Sequence, residues 1–320
     1  MTMLQSENDE SMREGNGNDK EKSVSSVQDV REASPAFGTR TLVNTDDVFN
    51  HNAWDNVEWD EEQEMYARKQ IEKQENSRVP AGEQEKYLAE PASFWDAFYE
   101  KNENKFFKDR HWLKVEFPEL HQTTLKDAGP KRVVEVGCGA GNTLFPLLAV
   151  NQNPDLFIYA YDFSSTAVEV VKSHSEYDTQ KSKAFVWDLT SDNIPDCVNA
   201  GSIDIVVLIF VFSALQPQQW AKAVENVYKM LKPGGLVLFR DYGRYDMVQL
   251  RFKEGRMLSD NFYIRGDGTR VYFFTTDELD TIWSSKFLIE QNAIDKRLIV
   301  NRHRRLKMYR VWLQGKFRKS

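Results

Sequence analysis

Cysteine and long apolar stretches are scarce in this chain of 320 residues. Only two cysteines occur, Cys138 and Cys197, which excludes a disulfide framework and a cysteine-rich zinc site. The longest unbroken apolar run, from Ile205 to Phe212, has eight residues and is too short to cross a bilayer. The amino terminus lacks the apolar stretch of a secretory signal and is acidic, unlike a mitochondrial transit peptide. We therefore expect a cytoplasmic protein with no membrane contact and no bound metal.

An excess of positive charge is also missing, because 42 Lys and Arg residues oppose 49 Asp and Glu residues. This total argues against a nucleic-acid partner, since affinity for a polyanion comes mainly from Lys and Arg. The distribution is uneven, however. Residues 1–100 hold 23 acidic and 10 basic side chains, whereas the remaining 220 residues hold 26 and 32. Such an asymmetry indicates an acidic tail on a basic body, so the total is a poor guide to partners.

Composition divides the chain into three parts. Residues 1–36 have the polar composition of a disordered tail. Residues 37–90 form an acidic extension that we expect to be partly ordered, because its aromatic residues need a surface to pack on. Within it, residues 61–86 are typical of a solvated helix and a linker, broken near Pro80 and Gly82. Residues 91–320 carry the pattern of a folded domain.

This domain alternates short β-branched runs with amphipathic helices, which predicts an α/β fold with a parallel sheet. The predicted strands are 132–136, 156–161, 184–187, 203–210 and 236–240. The predicted helices are 166–173, 217–231 and 276–285, the last one following an insertion at about 242–270. Two long strand patterns, 287–300 and 307–317, predict a final antiparallel hairpin at the sheet edge.

A glycine-rich turn follows the first of these strands, where Gly137, Gly139 and Gly141 precede a helix. Such a turn directs backbone N–H groups and a helix amino terminus toward a ligand. In a dinucleotide fingerprint the third glycine would fall at Asn142, one residue later. The observed spacing therefore favours a nucleoside ligand without a pyrophosphate over NAD.

Two acidic residues follow the next strands. Asp162 is placed to accept the hydroxyls of a ribose, and Asp188 is placed to accept an adenine amino group. Taken singly, each is as easily a helix cap or a turn residue. Together with the glycine-rich turn and the later LKPGG turn at 231–235, their order resembles that of class I S-adenosylmethionine-dependent methyltransferases. This resemblance implies a Rossmann-like, seven-stranded sheet with an antiparallel last strand, helices on both faces, and S-adenosylmethionine as cofactor.

A more specific resemblance covers residues 37–317. The matching segments are HNAWDNV (51–57), FWDAFY (94–99), FFKDRHWL (106–113), EFPEL (116–120), LIFVFSA (208–214), FRDYG (239–243), NFY (261–263), DGTR (267–270) and MYRVW (308–312). They are similar to segments of the tRNA N3-methylcytidine methyltransferases, and the first is similar to the extended branch associated with threonine tRNAs. The resemblance implies methylation of cytidine N3 at position 32 of the anticodon loop.

The chemistry assigns one catalytic candidate. Cytosine N3 already carries a lone pair, so the reaction needs positioning and accommodation of charge rather than a strong base. Asp241, at the end of the fifth strand, is our candidate to accept the exocyclic amine and to stabilise the cationic product. The alternative is a carboxylate paired with Arg240 or Arg244.

Other roles carry over from the resemblance. Four residues of FFKDRHWL become substrate contacts: Phe106, Phe107, Arg110 and His111. The alternative is two core phenylalanines and an Arg110 paired with Asp109 or Glu116. The implied cofactor contacts, beyond the turn and the two acids, are a lid of Trp95 and Tyr99 and adenine-pocket walls of Leu189 and Ile209. The alternative for these four residues is ordinary packing in a helix and in the sheet.

The last 25 residues contain ten basic side chains and no acidic one. Interleaved aromatic residues favour an RNA-facing surface, whereas the alternative is a solvated hairpin edge defended by charge. The expected tRNA contacts are Arg302, Arg304, Arg305 and Lys307. We expect the acidic amino-terminal part to be held away from the phosphates.

Two other functions fit parts of the pattern. A class I methyltransferase for a protein or small molecule would share the cofactor residues but would leave the basic carboxyl terminus unexplained. A non-catalytic RNA-binding scaffold would have no need for intact cofactor residues. The sequence leaves open the oligomeric state and any accessory protein that helps to select the tRNA.

Overall fold

A computed structural model describes residues 38–320, so the expected tail at 1–36 lies outside the described residues. The strands are β1 (Ala53–Asp55), β2 (Lys131–Val136), β3 (Leu156–Asp162), β4 (Ser182–Val186), β5 (Ile203–Ile209), β6 (Leu231–Tyr242), β7 (Met257–Ser259), β8 (Phe262–Ile264), β9 (Arg270–Tyr272), β10 (Phe287–Asn301) and β11 (Leu306–Lys319). The helices are α1 (Glu61–Glu75), α2 (Ala81–Leu88), α3 (Pro91–Asn102), α4 (Leu113–Glu116), α5 (Pro118–Gln122), α6 (Leu144–Val150), α7 (Ser165–Lys172), α8 (Trp220–Met230), α9 (Met247–Leu250) and α10 (Thr276–Trp283). Short 3₁₀ turns cover Thr45–Phe49, Phe212–Ala214 and Pro217–Gln219.

The main sheet has the strand order β1-β10-β11-β6-β5-β2-β3-β4. Strands β4, β3, β2, β5 and β6 are parallel, and β11 is antiparallel to both β6 and β10. The chain leaves β2 toward β3 on one side and reaches β5 on the other, which opens a crevice at the carboxyl ends of these strands. The seven-stranded sheet with an antiparallel last strand is thus confirmed, with one strand more than expected.

The additional strand comes from the amino-terminal extension. Strand β1 pairs antiparallel with β10 and forms the edge of the sheet. The prediction that the carboxyl-terminal hairpin forms this edge is therefore wrong. The Trp54 indole donates a hydrogen bond to the Val48 carbonyl oxygen at 2.8 Å, and both side chains pack on Leu298 and Val300 of β10. This edge strand is stabilised because its pairing with β10 removes these apolar side chains from water.

The predicted linker at 61–86 is largely helical. Helix α1 ends at Glu75, and α2 begins directly after Pro80 and includes Gly82. Helix α1 buries little apolar surface, and its anchor is polar instead. The amide of Gln74 donates to the Gln249 carbonyl oxygen at 2.9 Å and accepts from the Tyr263 hydroxyl at 2.9 Å. The extension is therefore fastened to the insertion that follows β6.

Helices cover both faces of the sheet because each has one apolar stripe. In α8 the buried positions are Ala223, Val224, Val227 and Met230, which recur at helical spacing. Helix α7 is capped at its amino terminus by Ser164, whose side chain accepts a hydrogen bond from the Ala167 N–H. Strand β5 is buried along almost its whole length, as expected for a central parallel strand. The crevice at the strand ends is thus held between two packed layers.

The insertion after β6 forms a small antiparallel sheet of β7, β8 and β9. It stands beside the carboxyl end of β6, joined by a β-bridge between Gly243 and Phe274. In the described part of the chain, we find no helix with the length and apolar character needed to span a membrane.

Candidate active site

The glycine-rich turn is built for close approach. Gly137 and Gly139 have φ angles of 65° and 53°, a region that residues with a Cβ rarely adopt. A Cβ on Gly137 would lie 2.5 Å from the Val211 side chain, and one on Gly139 would overlap the Tyr99 hydroxyl oxygen. Only glycine lets neighbouring side chains reach this turn.

A cavity of about 560 Å³ opens beside the turn, at the carboxyl ends of the parallel strands. It is lined by every residue that the sequence assigned to the cofactor: Trp95, Tyr99, Gly137, Gly139, Asp162, Asp188, Leu189 and Ile209. The sequence prediction thus names residues from five separate segments that the fold brings to one cavity.

Asp162 is hydrogen-bonded to the glycine-rich turn. Its carboxylate accepts hydrogen bonds from the Gly139 N–H at 2.9 Å and from the Ser164 N–H at 3.0 Å. Burial raises the pKa of Asp162 to about 6, although these backbone N–H groups oppose the shift. The carboxylate is therefore ionised at neutral pH and already positioned at the cavity wall.

Asp188 differs because it is exposed. It accepts hydrogen bonds from both the backbone N–H and the hydroxyl of Thr190, each at 2.8 Å. The carboxylate is thereby fixed by its own turn while it lines the cavity.

Helix α3 covers the turn. The rings of Trp95 and Tyr99 stack with centroids 6.1 Å apart, and Tyr99 is 4% exposed. Asp96, on the same helix, accepts from the Ser164 hydroxyl at 2.7 Å and the Thr166 N–H at 3.0 Å. These hydrogen bonds connect α3 to the start of α7 and so fix the position of the helix that carries the expected lid residues.

Phe106 and Phe107 are not core residues, so the alternative stated for them is wrong. They are 44% and 36% exposed, and both line the cavity. Their rings are 4.9 Å apart, and both contact the ring of Phe98. The Asn142 side chain holds the following residues by donating to the Asp109 carboxylate at 3.2 Å.

Arg110 lines the cavity but makes neither of the ion pairs considered for it. Its guanidinium donates to the Glu135 carboxylate at 3.1 Å and to the Thr143 hydroxyl at 2.8 Å. Burial raises the pKa of Glu135 to about 7, and Arg110 partly offsets this effect. Arg110 thus fastens the phenylalanine segment to the glycine-rich turn. His111 is exposed and is not among the residues that line the cavity.

Asp241 is fully buried beside the cavity rather than in its wall. Its carboxylate accepts hydrogen bonds from the Ser213 N–H at 2.9 Å and from the Tyr242 N–H at 2.9 Å. Burial raises its pKa to about 6. Since Arg240 pairs with Asp295 and Arg244 with Glu278, the ion-pair alternative is wrong. Direct contact with a bound base, however, is not available in this conformation.

The rest of the cavity lining includes aromatic and basic side chains. Five of these residues were not assigned to the site from the sequence: Phe210, Tyr242, Arg265, Arg310 and Trp312. The rings of Phe210 and Tyr242 lie 4.9 Å apart, and Phe210 holds an unusual φ of 60°. Residues other than glycine adopt a positive φ mainly where the surrounding structure imposes it, often at functional sites.

Comparison with known proteins identifies the family. A family model described as a methyltransferase domain matches residues 134–237. The tRNA N(3)-methylcytidine methyltransferase trm140 of Schizosaccharomyces pombe is 51% identical over 303 residues, covering 94% of this chain and 98% of that protein. The chain belongs to the tRNA N3-methylcytidine methyltransferase family.

Two further matches qualify this result. The tRNA(Thr) (cytosine(32)-N(3))-methyltransferase of Saccharomyces cerevisiae is 51% identical over 284 residues, covering 88% of this chain but 45% of that protein. The crystal structure of an S-adenosylmethionine-dependent methyltransferase from Anabaena variabilis aligns with a TM-score of 0.50 at 10% identity, covering 72% of this chain and 95% of that chain. The second match supports the class I fold alone.

The residues at the turn fit S-adenosylmethionine, the cofactor of this methyltransferase family. The Gly139 backbone lines the cavity without a side chain, and Asp162 presents an ionised carboxylate beside it. The apolar walls of Leu189 and Ile209 and the fixed carboxylate of Asp188 suit an adenine ring. A second cavity of about 550 Å³ lies near the amino ends of the strands, where the Lys232–Asp204 ion pair lines it, so it has none of these features.

The basic hairpin of this methyltransferase is partly neutralised internally. Arg297, Arg310, Lys316 and Arg318 are paired with carboxylates. The exposed bases are Arg302, Arg304, Arg305 and Lys307, which we call the tip cations. Among residues 38–320, no carboxylate lies within 4.0 Å of them. The ones expected to meet tRNA are thus the ones left uncompensated.

The acidic extension packs against this tip. The Arg305 guanidinium stacks 4.2 Å from the centroid of the Phe49 ring, and Arg302 donates to the Asn50 carbonyl oxygen at 3.5 Å. Asp46 and Asp47 lie in the same 3₁₀ turn as Phe49. The extension packs there because β1 pairs with β10 a few residues before the tip.

Proposed function

We propose that the chain transfers a methyl group to N3 of cytidine 32 in the anticodon loop of tRNA, and that threonine tRNA is a substrate. The observation that carries this proposal is a single cavity lined both by the residues that fit the cofactor and by aromatic rings and arginines. The names of the relatives support the substrate, and the Saccharomyces cerevisiae name specifies tRNA(Thr) and position 32.

The reaction needs a base outside its stack. N3 of a cytosine stacked in the anticodon loop cannot reach a buried sulfonium, so the nucleotide must flip into the cavity. Phe106 and Phe107, exposed at the cavity, offer ring faces for a base that leaves its neighbours. Phe210, Tyr242 and Trp312 supply further rings in the cavity wall. Stacking thereby replaces the contacts that the base loses.

S-adenosylmethionine supplies an electrophilic methyl group on a sulfonium. The chain has to orient N3 in line with it, exclude water and accommodate the positive charge that the base acquires. Aromatic faces attract a cation, so the rings of the cavity wall stabilise the methylated base more than the neutral one. No proton has to leave N3, and a strong general base is unnecessary.

Asp241 acts as a positioning residue in this scheme. Its carboxylate joins the Ser213 turn to the end of β6, and both Ser213 and Tyr242 line the cavity. Its negative charge beneath the cavity wall also favours a cationic product. The amine of the base then meets wall atoms rather than the Asp241 carboxylate itself.

Methyl transfer to tRNA tests the proposal. The chain is incubated with labelled S-adenosylmethionine and tRNA(Thr) containing cytidine at position 32, and the digested nucleosides are analysed by mass spectrometry. We expect 3-methylcytidine, and none when position 32 is changed to uridine. Cofactor binding without methylation of any tRNA would favour the protein or small-molecule methyltransferase. Absence of cofactor binding would favour the scaffold. A requirement for an added protein fraction would identify an accessory partner.

A further inference from the structure

We propose that Arg265 and Arg310 form a two-arginine clamp that binds the backbone phosphates flanking the flipped cytidine. This inference rests on the proposed function and assigns the phosphate contacts of the same site. Both arginines line the cavity, yet they come from different elements: Arg265 from the β8–β9 turn and Arg310 from β11. Their ring partners, Tyr242 and Trp312, are paired residues on the neighbouring strands β6 and β11.

Arg310 is held so that part of its guanidinium is left unused. Its Nε donates to the buried Asp246 carboxylate at 2.8 Å, and its guanidinium carbon lies 4.5 Å from the centroid of the Trp312 ring. Among residues 38–320, its two terminal nitrogens have no hydrogen-bond partner. Asp246 is also bonded to the backbone N–H groups of Val248 and Val311, so the anchor does not depend on Arg310 alone.

Arg265 also lies over an aromatic ring, but its hydrogen-bond partners are uncharged. Its guanidinium carbon lies 5.5 Å from the centroid of the Tyr242 ring, and one terminal nitrogen donates to the Arg270 carbonyl oxygen at 3.2 Å. The turn that carries it is fixed, since its Gly268 packs so tightly on Phe94 of α3 that a Cβ there would overlap the ring. Each arginine thus lies against an aromatic ring of the cavity wall and has N–H groups available to bind a ligand.

A phosphate is the ligand that this pair fits. Guanidinium groups bind phosphate oxygens with two parallel hydrogen bonds, and stacking on a ring fixes their plane beforehand. A neutral cytosine has no anionic group, whereas a flipped nucleotide carries one phosphate on each side of its ribose. A cation in direct contact with the base would oppose formation of the cationic product, so a position on the phosphates also avoids that cost.

The test combines protein variants with neutralised phosphates. tRNA(Thr) is assembled from fragments so that a methylphosphonate replaces the phosphate on the 5′ or the 3′ side of cytidine 32. For wild-type protein, we expect one or both replacements to lower kcat/KM about 10- to 100-fold, as for loss of a charged hydrogen bond. Arg310→Gln and Arg265→Gln should each lower it by a similar factor on unmodified tRNA.

The decisive quantity is the coupling between the two changes. If an arginine binds a given phosphate, the variant and the methylphosphonate together cost little more than either alone. Lys307→Gln, a tip cation outside the cavity, is the matched control and should be additive with both replacements. Fully additive costs for both Arg265→Gln and Arg310→Gln would overturn the clamp. Weaker binding of S-adenosylhomocysteine by these variants without RNA would also overturn it, because that result would assign the arginines to the cofactor.

Folding is checked by the melting temperature of each variant. If Arg310→Gln fails to fold without its bond to Asp246, Arg265→Gln alone decides, because the Arg265 side chain makes no ion pair with the described residues and its hydrogen bonds go to Thr269 and Arg270 in the same β-hairpin. Failure of the proposed function looks different, since wild-type protein would then leave unmodified tRNA unmethylated and the clamp would fall with it. Methylation of unmodified tRNA with additive costs would remove the clamp and leave the function standing.

Discussion

Substitution of Gly139 by alanine tests how the lid and the cofactor turn fit together. The new Cβ would lie closer than 3.0 Å to the Tyr99 hydroxyl oxygen, a distance that real Cβ atoms essentially never show. The hydroxyl must retreat by about 1 Å to regain an ordinary contact. Tyr99 has little room, because it is 4% exposed and its ring contacts Trp95 and Phe98. The helix that forms the lid must therefore shift away from the turn.

Two effects have to be separated. The φ of 53° alone costs an alanine about 1–2 kcal/mol of folding free energy. Gly129→Ala is a control for this cost, since Gly129 has a φ of 69° and nothing within 4 Å of its Cβ position. In denaturant titrations Gly129→Ala should lose about this much stability, and Gly139→Ala should lose more because of the clash with Tyr99. Only Gly139→Ala should also displace the lid, and a misplacement of about 1 Å near reacting groups lowers kcat/KM by about 100-fold.

Removal of the hydroxyl should reverse part of this loss. In Gly139→Ala/Tyr99→Phe the nearest remaining atom of residue 99 is Cζ, at 3.3 Å from the Cβ position. We expect Tyr99→Phe alone to be mild and the double variant to recover at least about tenfold of the lost kcat/KM. Calorimetric titration with S-adenosylhomocysteine provides a second readout. If the double variant is no better than Gly139→Ala, or if Gly129→Ala loses cofactor affinity equally, the contact between lid and turn does not control the site.

Three further predictions concern charged side chains. We expect the ionised form of Asp162 to accept the ribose hydroxyls. Because burial raises its pKa to about 6, S-adenosylhomocysteine affinity should be constant above this pH and fall below it, and titration of Asp162→Asn should show a flat, weak profile. Changing Arg302, Arg304 and Arg305 to Gln should weaken tRNA binding and make the slope of log K against log salt shallower by about 2–3, whereas an unchanged slope would exclude the tip as footprint. Asp241→Asn should retain tRNA affinity but lose most methyl transfer, and near-normal turnover would refute any role for this carboxylate.

The residues proposed for the cofactor could be grouped from the sequence because the rules that place them are local. A parallel strand, a glycine-rich turn and a carboxylate at the next strand end are read from short segments, and strand ends converge by topology. Four other lining residues, Phe210, Tyr242, Arg265 and Trp312, come from distant segments, and no short pattern marks them as neighbours. Asp241 shows the remaining limit. Successive side chains of a strand point to opposite faces, and at the end of β6 it is Tyr242 that lines the cavity.

The acidic extension changes what the charge distribution means for RNA binding. Division of the chain into an acidic tail and a basic body suggested that the two act apart. In the structure β1 completes the sheet beside β10, and Phe49 lies against Arg305. A hairpin tip of exposed like charges repels itself, and contact with an aromatic ring and a backbone carbonyl oxygen restrains two of its arginines. The extension thus orders the tip while its own carboxylates stay off the tip cations, so the tip remains available to phosphates. Loss of the extension should therefore weaken tRNA binding, although it removes negative charge.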